Sequence, residues 1–120
     1  VIMDVDSVDG RHICVQAASV GGGNIEVHKI DGLGVNFTGK ENTIIIRHVD
    51  TPGAIAAVTG TLARKHVNIA NVQGYRRELG GDAMIVMELD GVPDQEALDT
   101  IDALPGVQGI TFLARRSDVL

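Results

Sequence analysis

Two hydrophobic periods alternate along the sequence after residue 42, and this alternation constrains the fold more than any other feature. Continuous β-branched or apolar runs predict strands, whereas apolar residues three and four positions apart predict amphipathic helices. The predicted strands cover residues 43–49, 67–77, 83–89 and 107–113, and the predicted helices cover residues 54–66 and 94–104. This βαββαβ order predicts an α+β fold of the ferredoxin-like type, with four strands in one sheet.

Each predicted helix carries one apolar face, which we expect to pack on that sheet. The inward residues are Ile55, Val58 and Leu62 in the first helix and Leu98, Ile101 and Leu104 in the second. Asp94 precedes the second helix, and an aspartate at that position is typical of an N-cap.

The residues before 43 predict a short β-rich segment. Apolar runs at 12–17, 25–30 and 35–37 are typical of short strands, and the Asp-Gly pair at 31–32 is a turn signal. The glycine cluster at 21–23 is followed by a further strand rather than by a helix, which favours a bulge over a phosphate-binding loop. The predicted organisation is a β-rich segment at 1–38, a linker at 39–42 and a main domain at 43–120.

The main sheet has a second face that the two helices cannot cover. The runs at 44–46 and 83–87 are apolar on both sides of the strand. An apolar sheet face must be buried, so we expect it to be covered by the N-terminal strands or by a partner molecule. A lone monomer is therefore not expected, and a homodimer through the main domain is the favoured assembly.

Composition excludes several classes of function. The chain has 16 acidic and 10 basic residues, a net charge of −6, and its two arginine pairs, at 76–77 and 115–116, are interpreted as solvated strand ends, so no nucleic-acid partner is predicted. No apolar run reaches the roughly 18 residues of a membrane span, and residues 1–10 have neither the basic start nor the apolar core of a secretion signal. A single cysteine cannot form an internal disulfide, and a cytoplasmic location is expected. Because the first residue is not Met, we expect a fragment of a longer protein.

Catalytic chemistry is not predicted for this chain. Cys14 is the only cysteine, and the four histidines lack the spacing of metal ligands, so no metal site is expected. No nucleophile with a convergent base can be assembled from the remaining residues. The chain alone is therefore predicted not to be an enzyme.

The turn between the first main-domain strand and the following helix is the candidate ligand site. Backbone N–H groups at the start of a helix are unpaired and suit a carboxylate. We expect the start of the strand at 67–77 to lie near the same turn, which would add acceptors for an ammonium group. An equally supported interpretation is that the Pro-Gly pair only shapes the turn. The candidate residues for a bound amino acid are His48, Asp50, Gly53, Ala54, Ile55 and Asn68.

Two stretches, RHVDTPGAI at 47–55 and HVNIA at 66–70, resemble an ACT domain. The resemblance implies the βαββαβ fold and amino acid binding at the interface between paired domains. In the serine-binding ACT domain of 3-phosphoglycerate dehydrogenase the contacts correspond to His48, Asp50 and Asn68. Asp50 stands where that domain has Asn, a change that favours an ammonium group and disfavours a carboxylate at this point.

The segment SVGGGNIEV at 19–27, followed by IDG at 30–32, resembles the β subunit of iron–sulfur-dependent bacterial L-serine dehydratases. The resemblance implies an allosteric substrate-binding-type domain before the ACT domain, L-serine as the effector, and a 4Fe-4S cluster on a catalytic α subunit as partner. This chain is then a regulatory and assembly part of a lyase that converts L-serine to pyruvate and ammonia. Two alternatives stay open: the regulatory region of D-3-phosphoglycerate dehydrogenase, and an interaction module that binds no ligand.

Overall fold

The computed structural model describes residues 2–6, 12–21, 24–30, 32–37 and 40–114. These residues form two four-stranded antiparallel sheets and two helices. The first sheet consists of β1 (Ile2–Asp6), β2 (His12–Gly21), β3 (Asn24–Ile30) and β4 (Leu33–Phe37), in that order. The remaining elements are β5 (Asn42–Val49), α1 (Ala54–Arg64), β6 (Ile69–Arg76), β7 (Asp82–Leu89), α2 (Gln95–Asp102) and β8 (Val107–Leu113).

The second sheet has the strand order β6-β7-β5-β8, so the predicted ferredoxin-like α+β fold is confirmed. The two central strands are the β-branched run of β5 and the apolar run of β7, which pair from Asn42↔Leu89 to Val49↔Asp82. On one face, Ile44, Ile46 and Ile85 pack under both helices. Each such fully buried side chain stabilises the fold by about 1.5–3 kcal/mol.

The opposite face of this sheet is covered by the N-terminal sheet. Val27, Val35 and Phe37 of the first sheet form one buried cluster with Ile45 and Val86 of the second. The sequence predicted that either the N-terminal strands or a partner molecule covers this face. Within this chain the N-terminal strands cover it. Residues 2–6 add β1, a strand that the sequence analysis did not predict, and β5 begins inside the predicted 39–42 linker. The proposed domain boundary itself stays a prediction.

Helix α1 ends two residues earlier than predicted, at Arg64 instead of His66. His66 adopts a left-handed conformation with φ 58°. Its N–H donates to the Ala63 carbonyl, and the Val67 N–H donates to the Leu62 carbonyl, both at 3.0 Å. These two bonds form a Schellman motif, which terminates a helix. Glycine usually occupies the left-handed position, so a histidine there gives no stop signal in the sequence.

The prediction that Ile55 faces the core is wrong. Its side chain is 48% exposed, whereas Val58 and Leu62 are buried as predicted. Ile55 lies in the first turn of α1 over Gly74 of the edge strand β6, with its Cδ1 3.8 Å from the position of a Cβ on that glycine. A glycine in an edge strand offers no side chain to cover Ile55.

Candidate functional site

The turn between β5 and α1 leaves hydrogen-bond donors unused at the start of the helix. Gly53 occupies the N-cap with φ 86° and has no side chain to accept a hydrogen bond from the first turn. Within the part of the chain that the structure describes, the N–H groups of Ile55 and Ala56 have no acceptor. In α2, by contrast, Asp94 Oδ1 accepts from the Ala97 N–H at 2.7 Å. The start of α1 is therefore suited to an anion.

Asp50, at the first position of this turn, is held by two donors. Its Oδ2 accepts from Arg76 Nη1 at 3.0 Å and from the Gly80 N–H at 3.1 Å. The hydrogen bond from Gly80 and, next, the Arg76 guanidinium lower the pKa of Asp50 below its ordinary value of 3.8. The carboxylate is thus charged near neutral pH, and its Oδ1 makes no hydrogen bond with any described residue.

Arg76 belongs to the site, although the sequence analysis interpreted it as a solvated strand end. It pairs with Ala83 across β6 and β7, and the adjacent Asp82 pairs with Val49 of β5. This register places the end of β6 beside the end of β5. The sequence contains a signal for this placement. A hairpin at 78–82 and antiparallel pairing of 83–89 with 43–49 together bring Arg76 to the edge of the sheet where the first strand ends.

His48 is nearly fully buried, with 5% of its surface exposed. Its Nδ1 lies 2.9 Å from the Val49 carbonyl oxygen. Because a carbonyl only accepts, Nδ1 is assigned as the donor of this contact, and in the corresponding tautomer Nε2 is an acceptor. The ring can therefore receive a hydrogen bond from a ligand hydroxyl or ammonium group.

Two cavities flank the turn, and His48 lines both. The first, of about 260 Å³, lies between the start of α1 and the α2–β8 turn and is called the Gly53 cavity. The second, of about 220 Å³, lies towards β6 and is called the Asp50 cavity. Gly53 and Ala54 line only the former, whereas Asp50, Ile55 and Arg76 line only the latter. Both charged groups of the site are therefore in the Asp50 cavity.

Asn68 lines neither cavity, and the prediction that it lies beside the turn is wrong for a single chain. Strands β5 and β6 both run antiparallel to β7, and Leu89 pairs with Asn42 on one side and Ile69 on the other. Asn68 thus lies at the opposite end of the sheet, roughly 20 Å from the turn at about 3.3 Å per strand residue. Its Nδ2 donates to Asp90 Oδ2 at 2.5 Å.

The described residues contain no group of three or more His, Cys, Asp or Glu side chains arranged to hold a metal ion. None of the helices formed by these residues has the length and apolar character needed to cross a bilayer.

Comparison with known proteins identifies the domain. The sequence model of the ACT domain family matches residues 42–106, more than half of the chain. The chain belongs to the ACT domain family. In this ACT domain the candidate site lies where the first strand passes into the first helix.

Individual relatives match this chain over more residues than the ACT domain model does. The chain is 31% identical over 96 residues to a probable L-serine dehydratase β chain of Bacillus subtilis (strain 168), covering 80% of this chain and 44% of that one. It is 27% identical over 103 residues to the L-serine dehydratase β chain of Peptoniphilus asaccharolyticus, covering 86% and 45%. It therefore spans less than half the length of these relatives.

A second group of relatives consists of dehydrogenases. The chain is 32% identical over 85 residues to D-3-phosphoglycerate dehydrogenase of Methanocaldococcus jannaschii, covering 71% of this chain and 16% of that protein. Among solved structures, GqqA, a novel type of quorum-quenching acylase, superimposes with a TM-score of 0.51 at 24% identity, over 61% of this chain and 27% of that one. This likeness concerns the fold alone.

Proposed function

We propose that this chain is the regulatory and assembly part of an iron–sulfur-dependent L-serine dehydratase and that its ACT domain binds L-serine as an effector. The observation that carries the proposal is the composition of the Asp50 cavity. It holds an anionic Asp50 and a cationic Arg76, and it borders the first turn of α1 at Ile55. The negative charge of Asp50 matches the ammonium group of a free amino acid. The positive charge of Arg76 and the uncapped N–H groups of the helix match its carboxylate.

The proposed pose follows from these groups. The serine carboxylate accepts from the N–H groups of Ile55 and Ala56 in the first turn of α1, because those donors have no acceptor among the described residues, whereas the Ala54 N–H donates to the Thr51 carbonyl. The ammonium faces Asp50 Oδ1, since Oδ2 is already bonded to Arg76 and Gly80. The serine hydroxyl donates to Nε2 of His48. Gly53 keeps the approach to the turn open, as no atom lies within 4 Å of the position of a Cβ there.

Asn68 enters the proposed site from a second copy of the chain. It lies at one end of the edge strand β6, and Arg76 lies at the other. When two copies pair these edges about a two-fold axis, the two strands run antiparallel, so Asn68 of one copy lies near Arg76 of the other. The surface beside this edge is partly apolar, with Ile55 48% and Val72 38% exposed. Burying apolar surface of this kind favours association. A homodimer of ACT domains thus contains two sites.

The lyase chemistry is assigned to a partner. A 4Fe-4S cluster is held by several cysteine thiolates, and Cys14 is the only cysteine of this chain. The residues present therefore do not fit a cluster, and the proposal assigns it to a catalytic α subunit in the cytoplasm. The purified chain is expected to release no pyruvate from L-serine.

The second candidate function is regulation of a D-3-phosphoglycerate dehydrogenase. The 32% identity to the Methanocaldococcus jannaschii enzyme favours it. The matched lengths overlap between the two groups, with 96 and 103 residues for the L-serine dehydratase β chains and 85 and 99 for two of the dehydrogenases. The chain covers 44% and 45% of those β chains but only 16% and 18% of those dehydrogenases. For this reason we prefer the dehydratase.

The test is calorimetric titration of the chain with L-serine, with D-serine as the matched ligand control. L-Serine at about 100 times its Kd is expected to stabilise the fold by about 2.7 kcal/mol. Absence of both binding heat and stabilisation contradicts the proposal and favours a module that only mediates assembly. Addition of the chain to serine dehydratase α subunits, with serine-dependent activity as the readout, separates the dehydratase from the dehydrogenase function.

A further inference from the structure

Arg76 reaches the Asp50 cavity from the edge strand with most of its hydrogen-bonding capacity unused. A guanidinium has five N–H donors in a planar fork, which matches the two oxygens of a carboxylate. Among the described residues, the side chain of Arg76 contacts Asp50 Oδ2 through Nη1, and it is 54% exposed. The remaining donors are available at the rim of the cavity.

Asp50 fixes the direction of this fork. Its Oδ2 is itself held by the Gly80 N–H of the β6–β7 hairpin, so the carboxylate is a fixed anchor for Nη1. Anchoring at one nitrogen reduces the conformational freedom that Arg76 loses when it binds a second partner. The pair is also neutral as a whole, because one positive charge offsets one negative charge. An anionic ligand is therefore not repelled by Asp50.

We infer that Arg76 is the specificity-determining residue for the effector's carboxylate and that Asp50 is its positioning residue. The inference deepens the proposed function and rests on it. Arg76 and the first turn of α1 line the Asp50 cavity together. One ligand oxygen thus accepts from the helix and the other from the guanidinium, while Asp50 Oδ1 stays available to the ammonium. The site selects ligands with both a carboxylate and a cation.

The experiment compares three ligands that differ by one charged group each. L-Serine carries both charges, β-hydroxypropionate lacks the ammonium, and ethanolamine lacks the carboxylate. Each is titrated into the parent chain, Arg76→Met and Arg77→Met. The last is the matched control, because Arg77 is the next residue but lines a different cavity, beside Leu33 and Asp82.

Arg76→Met is expected to weaken L-serine and β-hydroxypropionate roughly tenfold to a hundredfold, the range for a hydrogen bond to a charged group. Ethanolamine affinity is expected to stay the same or to rise, since ethanolamine has no carboxylate for Arg76 to bind and its ammonium faces an Asp50 that has lost its neutralising partner. Arg77→Met leaves all three affinities unchanged. Arg76→Lys keeps the charge but not the fork, so it recovers only part of the lost affinity.

Two results overturn the inference. If Arg76→Met weakens ethanolamine as much as L-serine, Arg76 only maintains the shape of the site. If it weakens none of the ligands, the carboxylate is bound elsewhere. A parent chain that binds none of the three contradicts the proposed function itself, and with it this inference. Thermal unfolding of each variant verifies that the fold is retained.

Discussion

At the scale of single residues, Asp50 shows how the candidate site is shaped by contacts that are distant in sequence. Its carboxylate meets Arg76, 26 positions away, and Gly80, 30 positions away. From the sequence alone, Asp50 is expected to disfavour a ligand carboxylate at the turn. In the fold Arg76 offsets the charge of Asp50, so a ligand with a carboxylate is not excluded from the turn.

The first prediction concerns the pH dependence of stability at Asp50. Its pKa is lowered on folding, chiefly by the Gly80 N–H and then by Arg76. A carboxyl group of this kind stabilises the fold above its unfolded pKa, near 3.8, and loses that effect as the pH falls through the lowered folded pKa. Asp50→Asn should therefore be less stable than the parent at neutral pH, and the difference should vanish in strong acid.

Urea unfolding midpoints across the acid range measure this difference. Asp99→Asn is the control, because among the described residues that exposed side chain bonds only to Gln95, one turn earlier on α2. A difference between Asp50→Asn and the parent that stays constant down to strong acid would show that the charge of Asp50 does not stabilise the fold.

At the scale of elements, the two helices begin in different ways. Asp94 caps α2 through its side chain, whereas Gly53 leaves the first turn of α1 without a cap. The N-cap of α2 was predictable because Asp directly precedes an amphipathic run. The Schellman motif that ends α1 was not, because it depends on a left-handed histidine.

The second prediction tests the cap of α2. Asp94→Ala removes the acceptor of the Ala97 N–H and is expected to cost about 0.5–2 kcal/mol of unfolding free energy. Asp99→Ala, in the same helix but not at its start, is expected to cost less than about 0.5 kcal/mol. Urea denaturation of both variants gives the comparison. Equal costs would mean that the cap does not stabilise α2.

The strand order explains which part of the candidate site could be predicted. His48, Asp50 and Gly53 are close in sequence, so a local pattern is enough to bring them together. Arg76 and Asn68 lie at the two ends of β6, and their places depend on the register and direction of three strands. Hydrophobic periodicity identifies strands but not their direction, so Arg76 was missed and Asn68 was placed at the wrong end.

At the scale of the whole molecule, the central sheet is buried between two layers. The helices cover one face, and the N-terminal sheet covers the other through Val27, Val35 and Phe37. The doubly apolar runs of β5 and β7 predicted that both faces are covered. The pattern alone could not decide between an internal cover and a partner, because both bury the same side chains.

The third prediction tests the internal cover. Phe37 is 3% exposed and belongs to the cluster that joins the two sheets. Phe37→Ala is expected to destabilise the chain by about 3–5 kcal/mol, since it leaves a cavity between them. Leu79, 82% exposed in the β6–β7 hairpin, is the control, and its replacement by Ala should cost less than about 0.5 kcal/mol. Similar unfolding midpoints for the two variants would contradict packing of the N-terminal sheet at Phe37.

The last prediction concerns the proposed two-chain site, in which Asn68 of one copy lies beside the turn of the other. Asn68→Ala removes one hydrogen bond to a charged group and is expected to cost about 1.5–3 kcal/mol of binding energy for L-serine. Gly53→Val blocks approach to the turn and strains its left-handed backbone, so it should abolish binding. When equal amounts of the two variants exchange subunits, half of the dimers are mixed and each has one intact site, so roughly a quarter of the sites should recover parental affinity. Calorimetric titration of the mixture counts these sites, with each variant alone as the control. If both variants are folded and the mixture recovers no site, Asn68 does not act across the subunit boundary.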